Sequence, residues 1–413
     1  MSAKKAKGKK TKKVLGVIAI LFVLFVIATV ITTVIGNNVN TKKASSFETV
    51  QYESQLKPVK DQRGNWTFTT DEDFKVMQIT DIHIGGGWMS LGKDAKALNA
   101  VAAMITAEKP DLVVATGDIA YPVFFQAGTF NNLSGAKIFA TLMEKLGVYW
   151  TINLGNHDSE IYSYYNREKV SNFYANSGFK YCLYQSGPED VDGYGNHVIN
   201  VKNSKGEITQ SLFMIDSQSY TKDDPFGVRW LYDNIHENQV VWYEETLRQI
   251  NADNNAVLKA NGKEPIDTVK SLMFIHIPLT EQKDAWFEYA DNGNKDTENV
   301  KHVYGIAGEK DPIVYPGVGE DRMFETMLEL GSTKGVFFGH DHLNNFALDY
   351  KGIQLSYSYS IDYLAYIGIS KQGAQRGCTV IDVKPDGTFS SHLENYYQDK
   401  YVSLYEKEAV TMQ

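Results

Sequence analysis

The chain has 413 residues, 43% hydrophobic and 22% charged, long enough for one large domain or two smaller ones around a substantial core. Its net charge of −9 is unevenly spread: the first 43 residues carry nine Lys and no acid, leaving the rest with 32 basic and 50 acidic side chains. An acidic body of net −18 argues against broad nucleic-acid binding, and two cysteines are too few for a disulfide framework or a Cys-based zinc site.

In chain order, residues 1–13 form a basic tail with seven Lys. Residues 14–36 follow as 23 uncharged, apolar positions. At about 1.5 Å per residue such a helix crosses a hydrocarbon core of about 30 Å. Lys is dense before this run and sparse after it, so the positive-inside rule puts the amino terminus in the cytoplasm and the body outside. A cleaved signal peptide is the competing reading. Its apolar stretch would be about 7–15 residues, and no small-x-small cleavage site is clear. The expectation is a single-pass signal-anchor in the cell membrane, then a polar juxtamembrane linker over 37–70.

From Phe74 onward, apolar runs that read as buried strands alternate with helical patterns. Strands are expected at 76–79, 112–114, 149–152, 212–215, 272–275 and 336–338, and helices at 93–108, 136–146, 166–176, 238–250 and 322–330. The last third changes to short strands at 345–350, 353–357, 378–383 and 388–393, with Asp386-Gly387 as a hairpin turn. Residues 184–210 and 280–320 read as loops. One domain over 71–400 accommodates this pattern, followed by a tail at 401–413. Asn65 and Asn132 begin Asn-x-Ser/Thr triplets, which carry little weight alone.

Five polar motifs follow apolar strands: Asp81-Ile82-His83, Gly117-Asp118, Gly155-Asn156-His157-Asp158, His276, and Gly339-His340-Asp341-His342. Each alone is weak, since Gly-Asp and Gly-Asn commonly mark turns and a lone His is more often a core residue. In one order, each after a strand, they describe a cage at the carboxyl ends of neighbouring parallel strands, where open α/β sheets place their chemistry. Carboxylate, amide and imidazole donors suit Mn, Fe or Zn better than Ca. A two-metal hydrolase is the expectation.

The ordered set D-x-H, G-D, G-N-H-[DE], H and G-H-x-H, covering about residues 74–395, resembles the calcineurin-like metallophosphoesterase superfamily. More narrowly, Ile275-His276-Ile277-Pro278-Leu279, the run from Gly339 to Phe346, Gln375-Arg376-Gly377, and Ile215-Asp216-Ser217 with the later Gln239-Val240-Val241-Trp242 resemble its purple-acid-phosphatase-like branch. The resemblance implies an α/β fold, a four-layer α/β/β/α sandwich, here preceded by one transmembrane helix. It implies two divalent or mixed-valence ions (Mn, Fe or Zn), one held by Asp81, His83, Asp118 and His342, the other by Asp118, Asn156, His276 and His340. Asp118 would bridge them, one anion offsetting repulsion between dications about 3.5–4 Å apart. Purple enzymes proper have Gly in place of His83 and a Tyr ligand matching Tyr121. Here His83 is the expected ligand and Tyr121 a wall residue.

The implied activity is hydrolysis of a small-molecule phosphate ester by hydroxide generated between the metals. His157 would stabilise the transition state or protonate the leaving oxygen. Asp158 would hold the His157 ring, or cap a helix start. Arg376 would contact phosphate or form a surface salt bridge. Tyr357, Tyr359, Tyr363 and Tyr366 would pack the sheet or stack on substrate. The branch includes members labelled inactive, so a metal-binding but catalytically silent surface protein is the alternative.

Overall fold

The computed structural model describes residues 2–366, 369 and 376–395. Gln375 and the expected tail at 401–413 lie outside them. Strands and helices are numbered along the chain. One sheet has five strands in the order β14 (Phe389–Asn395), β13 (Gly377–Val383), β3 (Phe74–Ile79), β4 (Leu112–Thr116) and β5 (Trp150–Asn153). The other has nine: β1 (Val59–Lys60), β2 (Trp66–Thr69), β6 (His197–Lys202), β7 (Ile208–Met214), β8 (Ser271–Phe274), β10 (Thr333–Phe338), β12 (Ile353–Tyr357), β11 (Ala347–Tyr350) and β9 (Val300–Tyr304). Strands β3, β4 and β5 are parallel, as are β7, β8, β10 and β12.

The sheets pack face to face, and the alternation of side chains along each strand decides which core each residue enters. In β3, Phe74 and Val76 enter the core between the sheets, while Met77 and Ile79 meet helices. In β4, Leu112 and Val114 face the other sheet, and Val113 and Ala115 face helices. In the second sheet, Phe274 and Phe337 stack between the sheets at 5.5 Å, while Met273 and Val336 meet the opposite helical layer. Both faces are buried, which is why these strands read as unbroken apolar runs.

Helices α2 (Leu91–Glu108), α3 (Phe124–Ala127), α4 (Asn132–Leu146) and α5 (Arg167–Asn176) belong to the side of the five-stranded sheet. Helices α6 (Glu237–Ala260), α7 (Thr280–Asp291) and α8 (Met323–Leu330) cover the nine-stranded sheet. The result is the expected mixed α/β, four-layer α/β/β/α sandwich. Helix α2 ends where Lys109 turns left-handed ahead of Pro110.

The differences lie in polar segments. Helix α6 runs ten residues past 250, its inner face continued by Asn254 and Leu258. Helix α7 and β9 occupy part of the expected loop 280–320, and β6 part of 184–210. In α7 the buried residues are Gln282 and Ala285, too few to print a hydrophobic period. Strand β9 exists through its pairing with distant β11, and most of it is exposed.

The chain begins with α1 (Ser2–Ala44), whose part from Lys12 onward is long and apolar enough to cross a membrane, by length and composition. Helix α1 continues through 37–44, where a polar linker was expected. Cys182 carries a free thiol, whose pKa burial pushes up.

Candidate metal centre

The motif residues leave the carboxyl ends of β3, β4, β5, β8 and β10, where the two sheets meet. Asp81, His83, Asp118 and His340 have φ of 50°, 51°, 51° and 78°. This left-handed conformation is uncommon outside glycine, and four of the ten such non-glycine residues among the described residues are expected ligands. Glycines admit the close approach. A Cβ on Gly155 would collide with Asp118, and one on Gly117, whose φ is 87°, would stand 2.5 Å from Nδ1 of His276.

Donor atoms of Asp81, His83, Asp118 and His342 all lie within 4.8 Å of one another, and so do those of Asp118, His276 and His340. Asn156 joins the second group, its Oδ1 3.1 Å from Nε2 of His276. The Asn156 amide is oriented by donation from Nδ2 to the Tyr220 hydroxyl, 2.9 Å away. All seven expected ligands therefore meet, with Asp118 common to both groups.

The electrostatics call for cations. His276 donates from Nδ1 to the Thr116 carbonyl at 2.8 Å, which leaves Nε2 facing Asp118 Oδ2 at 3.2 Å and the Asn156 oxygen. A neutral ring would set its lone pair against oxygen lone pairs. Burial opposes charge on His276, but Asp118 outweighs it and pushes the ring up to about 9. Burial likewise works against the Asp118 carboxylate, yet neighbouring His276 and His157 hold it well below the usual range. Both ring nitrogens of His83 and Oδ2 of Asp118 are buried without a hydrogen-bond partner among the described residues. Orphaned donor atoms converging from several strands fit a pair of metal ions, whose positive charge would replace the borrowed protons.

His157 lies at the mouth, its Nε2 4.0 Å from Asp118 Oδ2 and its Nδ1 2.6 Å from Glu160 Oε1. The expectation that Asp158 holds this ring is corrected. Asp158 accepts from the backbone N–H of Ala120 and of Gly155, at 2.8 and 2.9 Å, and so ties the β5 loop to the β4 loop. The 3-10 turn at His157–Ser159 explains the exchange, because side chains three apart eclipse and Glu160 falls beside His157. Tyr121 packs edge-on against His83 and His157, with ring centroids 5.1 and 4.9 Å away.

Three further residues support the centre. Asp362 lies 3.4 Å from Nδ1 of both His83 and His342, and accepts backbone N–H bonds from Leu364, Ala365 and Tyr366. Burial opposes its charge, but His83 overcomes this and lowers its pKa. Arg167 is buried against Asp216 and donates to the carbonyls of Leu154 and Gly155, fixing the loop that carries Asn156. Arg376 is buried beside Asp362. Its Nε donates to the Asp362 carbonyl at 2.8 Å, and its guanidinium lies 4.2 Å from the Tyr363 ring centre. No motif marked Asp362 or Arg167, whereas the His-x-x-Glu spacing of 157 and 160 was a usable signal.

The crevice above the donors has a volume of about 350 Å³ and is lined by Trp230, Tyr232, Glu309, Lys310, Tyr315 and Tyr366 together with His157, His340 and His342. Of the four tyrosines noted after β11, Tyr366 faces this space, whereas Tyr357 is buried and donates to Asp341. Asn132 is also buried, its amide donating to the carbonyls of Asp158 and Tyr165, so in the fold it is no glycan acceptor.

The calcineurin-like phosphoesterase family model matches residues 74–344. A protein of Arabidopsis thaliana named "Probable inactive purple acid phosphatase 14" is 31% identical, over 74% of this chain and 74% of its own length. Another, "Probable inactive purple acid phosphatase 29", is 28% identical over 79% of this chain and 80% of itself. "Phosphatase DCR2" of Saccharomyces cerevisiae is 27% identical over 68% of this chain and 46% of its own length.

Proposed function

Because the chain belongs to the calcineurin-like phosphoesterase family, we propose that it hydrolyses a small-molecule phosphate ester at a two-metal centre. The observation that carries this reading is Asp118, shared by two groups of converging donors and left with an orphaned Oδ2. Asp81, His83, Asp118 and His342 would hold one ion, and Asp118, Asn156, His276 and His340 would hold the other. Mn, Fe or Zn fits this mixture of oxygen and imidazole nitrogen. When bound, such a pair supplies the Lewis acidity that makes water nucleophilic near neutral pH and polarises a phosphoryl oxygen.

The protein's own groups do the rest. Glu160 fixes the His157 ring through Nδ1, turning Nε2 into the crevice. As the oxygen of water bonds to phosphorus and the ester P–O bond breaks, His157 Nε2 would give its proton to the leaving oxygen, and the proton released by the water restores His157. Asn156, neutral and oriented by Tyr220, limits the negative charge of the cage.

The second reading is a metal-binding protein without turnover, favoured by the word "inactive" in the names of two relatives. Release of product from a chromogenic monoester and a matched diester decides between them, using the full chain with Mn, Fe, Zn or no metal. Metal-dependent turnover lost in Asn156→Ala supports the enzyme. Two bound metals and silence on both substrates support the binding protein.

The proposal includes α1 as an uncleaved, single-pass anchor, with the amino terminus cytoplasmic and the domain outside. Its support is the Lys asymmetry together with a buried bond from Nδ2 of Asn40 to Asp94 of the domain, at 2.7 Å. Resistance to carbonate extraction, with protease access to the domain from outside, tests this.

A further inference from the structure

Helix α1 is inside-out where it meets the domain. Thr29, Thr33, Asn40 and Ala44, four or seven positions apart on one face, are buried against it. Thr33 Oγ1 is 2.6 Å from Thr129 Oγ1, and Asn37 Nδ2 is 3.1 Å from Ser134 Oγ. Gly36 lies so close to Gly87 that a Cβ would collide. The opposite face presents Val30, Ile31, Val34, Ile35 and Val39, each at 41–52% exposure. A helix that buries its polar residues and shows its valines suits a lipid surround, not water.

The apolar surface extends onto the domain. Trp88, Met89 and Phe125 are 55%, 51% and 85% exposed. They join α1 through contact rather than mere nearness in sequence. The Phe25 ring of α1 lies 4.8 Å from that of Phe124, which in turn packs on Phe125 and Phe130. Phe130 continues the row to Tyr164, itself 49% exposed.

We propose that this collar of the domain rests in the bilayer that α1 crosses, with Trp88 and Met89, next to the Gly36 and Gly87 contact, in its interfacial zone and Phe125, beside the Phe25 and Phe124 pair, deeper in the outer leaflet. The proposal depends on the membrane reading of α1. Its occupant follows from continuity and length. The exposed apolar face runs from residue 14 to residue 39, or about 39 Å at 1.5 Å per residue. Hydrocarbon is about 30 Å thick, and a tilt of roughly 40°, at the top of the usual range, buries the excess. A tilt toward the collar lays that side of the domain on the lipid, where Trp and Tyr are favoured at the headgroup level. The loops that form the collar also carry the centre: Asp118 and Tyr121 precede Phe125, and His157 and Glu160 precede Tyr164. The crevice rim is thereby held near the lipid surface.

The test uses the full chain in lipid nanodiscs, with single nitroxide labels at Met89→Cys, Phe125→Cys, Ile20→Cys and Phe287→Cys in a Cys182→Ser background. Phe287 lies on α7, in the opposite helical layer. Collisions with oxygen report lipid, and collisions with a nickel chelate report water. The expected result is lipid-like behaviour at 20, 89 and 125, with nickel accessibility several-fold lower at 89 and 125 than at 287. If 20 is in lipid while 89 and 125 match 287, the collar is refuted and the anchor stands. If 20 is itself aqueous, the anchor fails. Labels at 89 and 125 shielded from both reagents would mean a protein covers them, which also overturns the proposal.

Discussion

The carboxylate of Glu160 stands 2.6 Å from Nδ1 of His157, while Asp158, the residue next to that histidine, turns away to bind two backbone N–H groups. The two acids therefore fail differently when altered. On the proposed mechanism, His157→Asn should lower kcat by roughly 10²–10⁴, the usual worth of a positioned proton donor. Glu160→Gln lowers kcat by part of that, with metal content and unfolding temperature kept. Asp158→Ala costs about 1–3 kcal/mol of stability for each buried N–H it orphans. Steady-state kinetics, metal analysis and thermal melts separate the three.

Asp362 contacts both His83 and His342 from behind. Asp362→Asn weakens the grip on one of two metals by roughly 10–100-fold, the scale for residues that orient ligands. Titration with Mn or Zn followed by calorimetry should show one weakened site and one unchanged. Equal weakening of both, or of neither, contradicts this assignment.

Asp118 serves both donor groups, and Asn156 one. Asp118→Ala should leave no tightly held metal, whereas Asn156→Ala should retain one ion per chain. Turnover in the latter falls by roughly 10²-fold or more, the scale of a lost charge-stabilising group. Metal stoichiometry by elemental analysis is the readout, and it holds even if the protein proves to be a binder only.

Burial lifts the Glu281 carboxyl from its ordinary 4.5 to about 7, and Asp321 adds to the effect. The folded pKa is above the unfolded one, so this group's contribution to stability is intact below about pH 4.5 and lost as pH rises through about 7. Glu281→Gln should match the parent at pH 4 and exceed it at pH 8. Partial solvent screening holds the gain to on the order of 1–2 kcal/mol, below the full worth of the shift. Thermal melts from pH 4 to 8 measure it, and curves that stay parallel would refute it.

The strands beneath the centre were legible because they are buried on both faces, and the motifs because each ends such a strand. Asp362 was not. It acquires its role when the chain beyond β12 returns beside β3, with the N–H groups of Ile361 and Asp362 donating to the carbonyls of Thr80 and Asp81. That pairing spans some 280 positions and leaves no local pattern. Asp158 misled because adjacency in sequence is not adjacency in a 3-10 turn. Helix α7 and strand β9 escaped because their polar, largely exposed sequences take their conformations from partners far along the chain. The end of α1 was misread for the opposite reason, since Asn37 and Asn40 suggested a solvated linker while in the fold they bond to the domain.

The left-handed backbone at Asp81, His83, Asp118 and His340 also bears on how such a site decays by mutation. Asn and Gly accept that conformation readily, whereas β-branched residues resist it. Replacement of Asp81 or Asp118 by Asn or Gly thus removes charge while the turn persists, but Val or Ile spoils the turn as well. Drift toward silence therefore follows a narrow set of codon changes that leave the scaffold standing. A descendant altered in this way would keep its shape and its crevice, free to be recruited for binding.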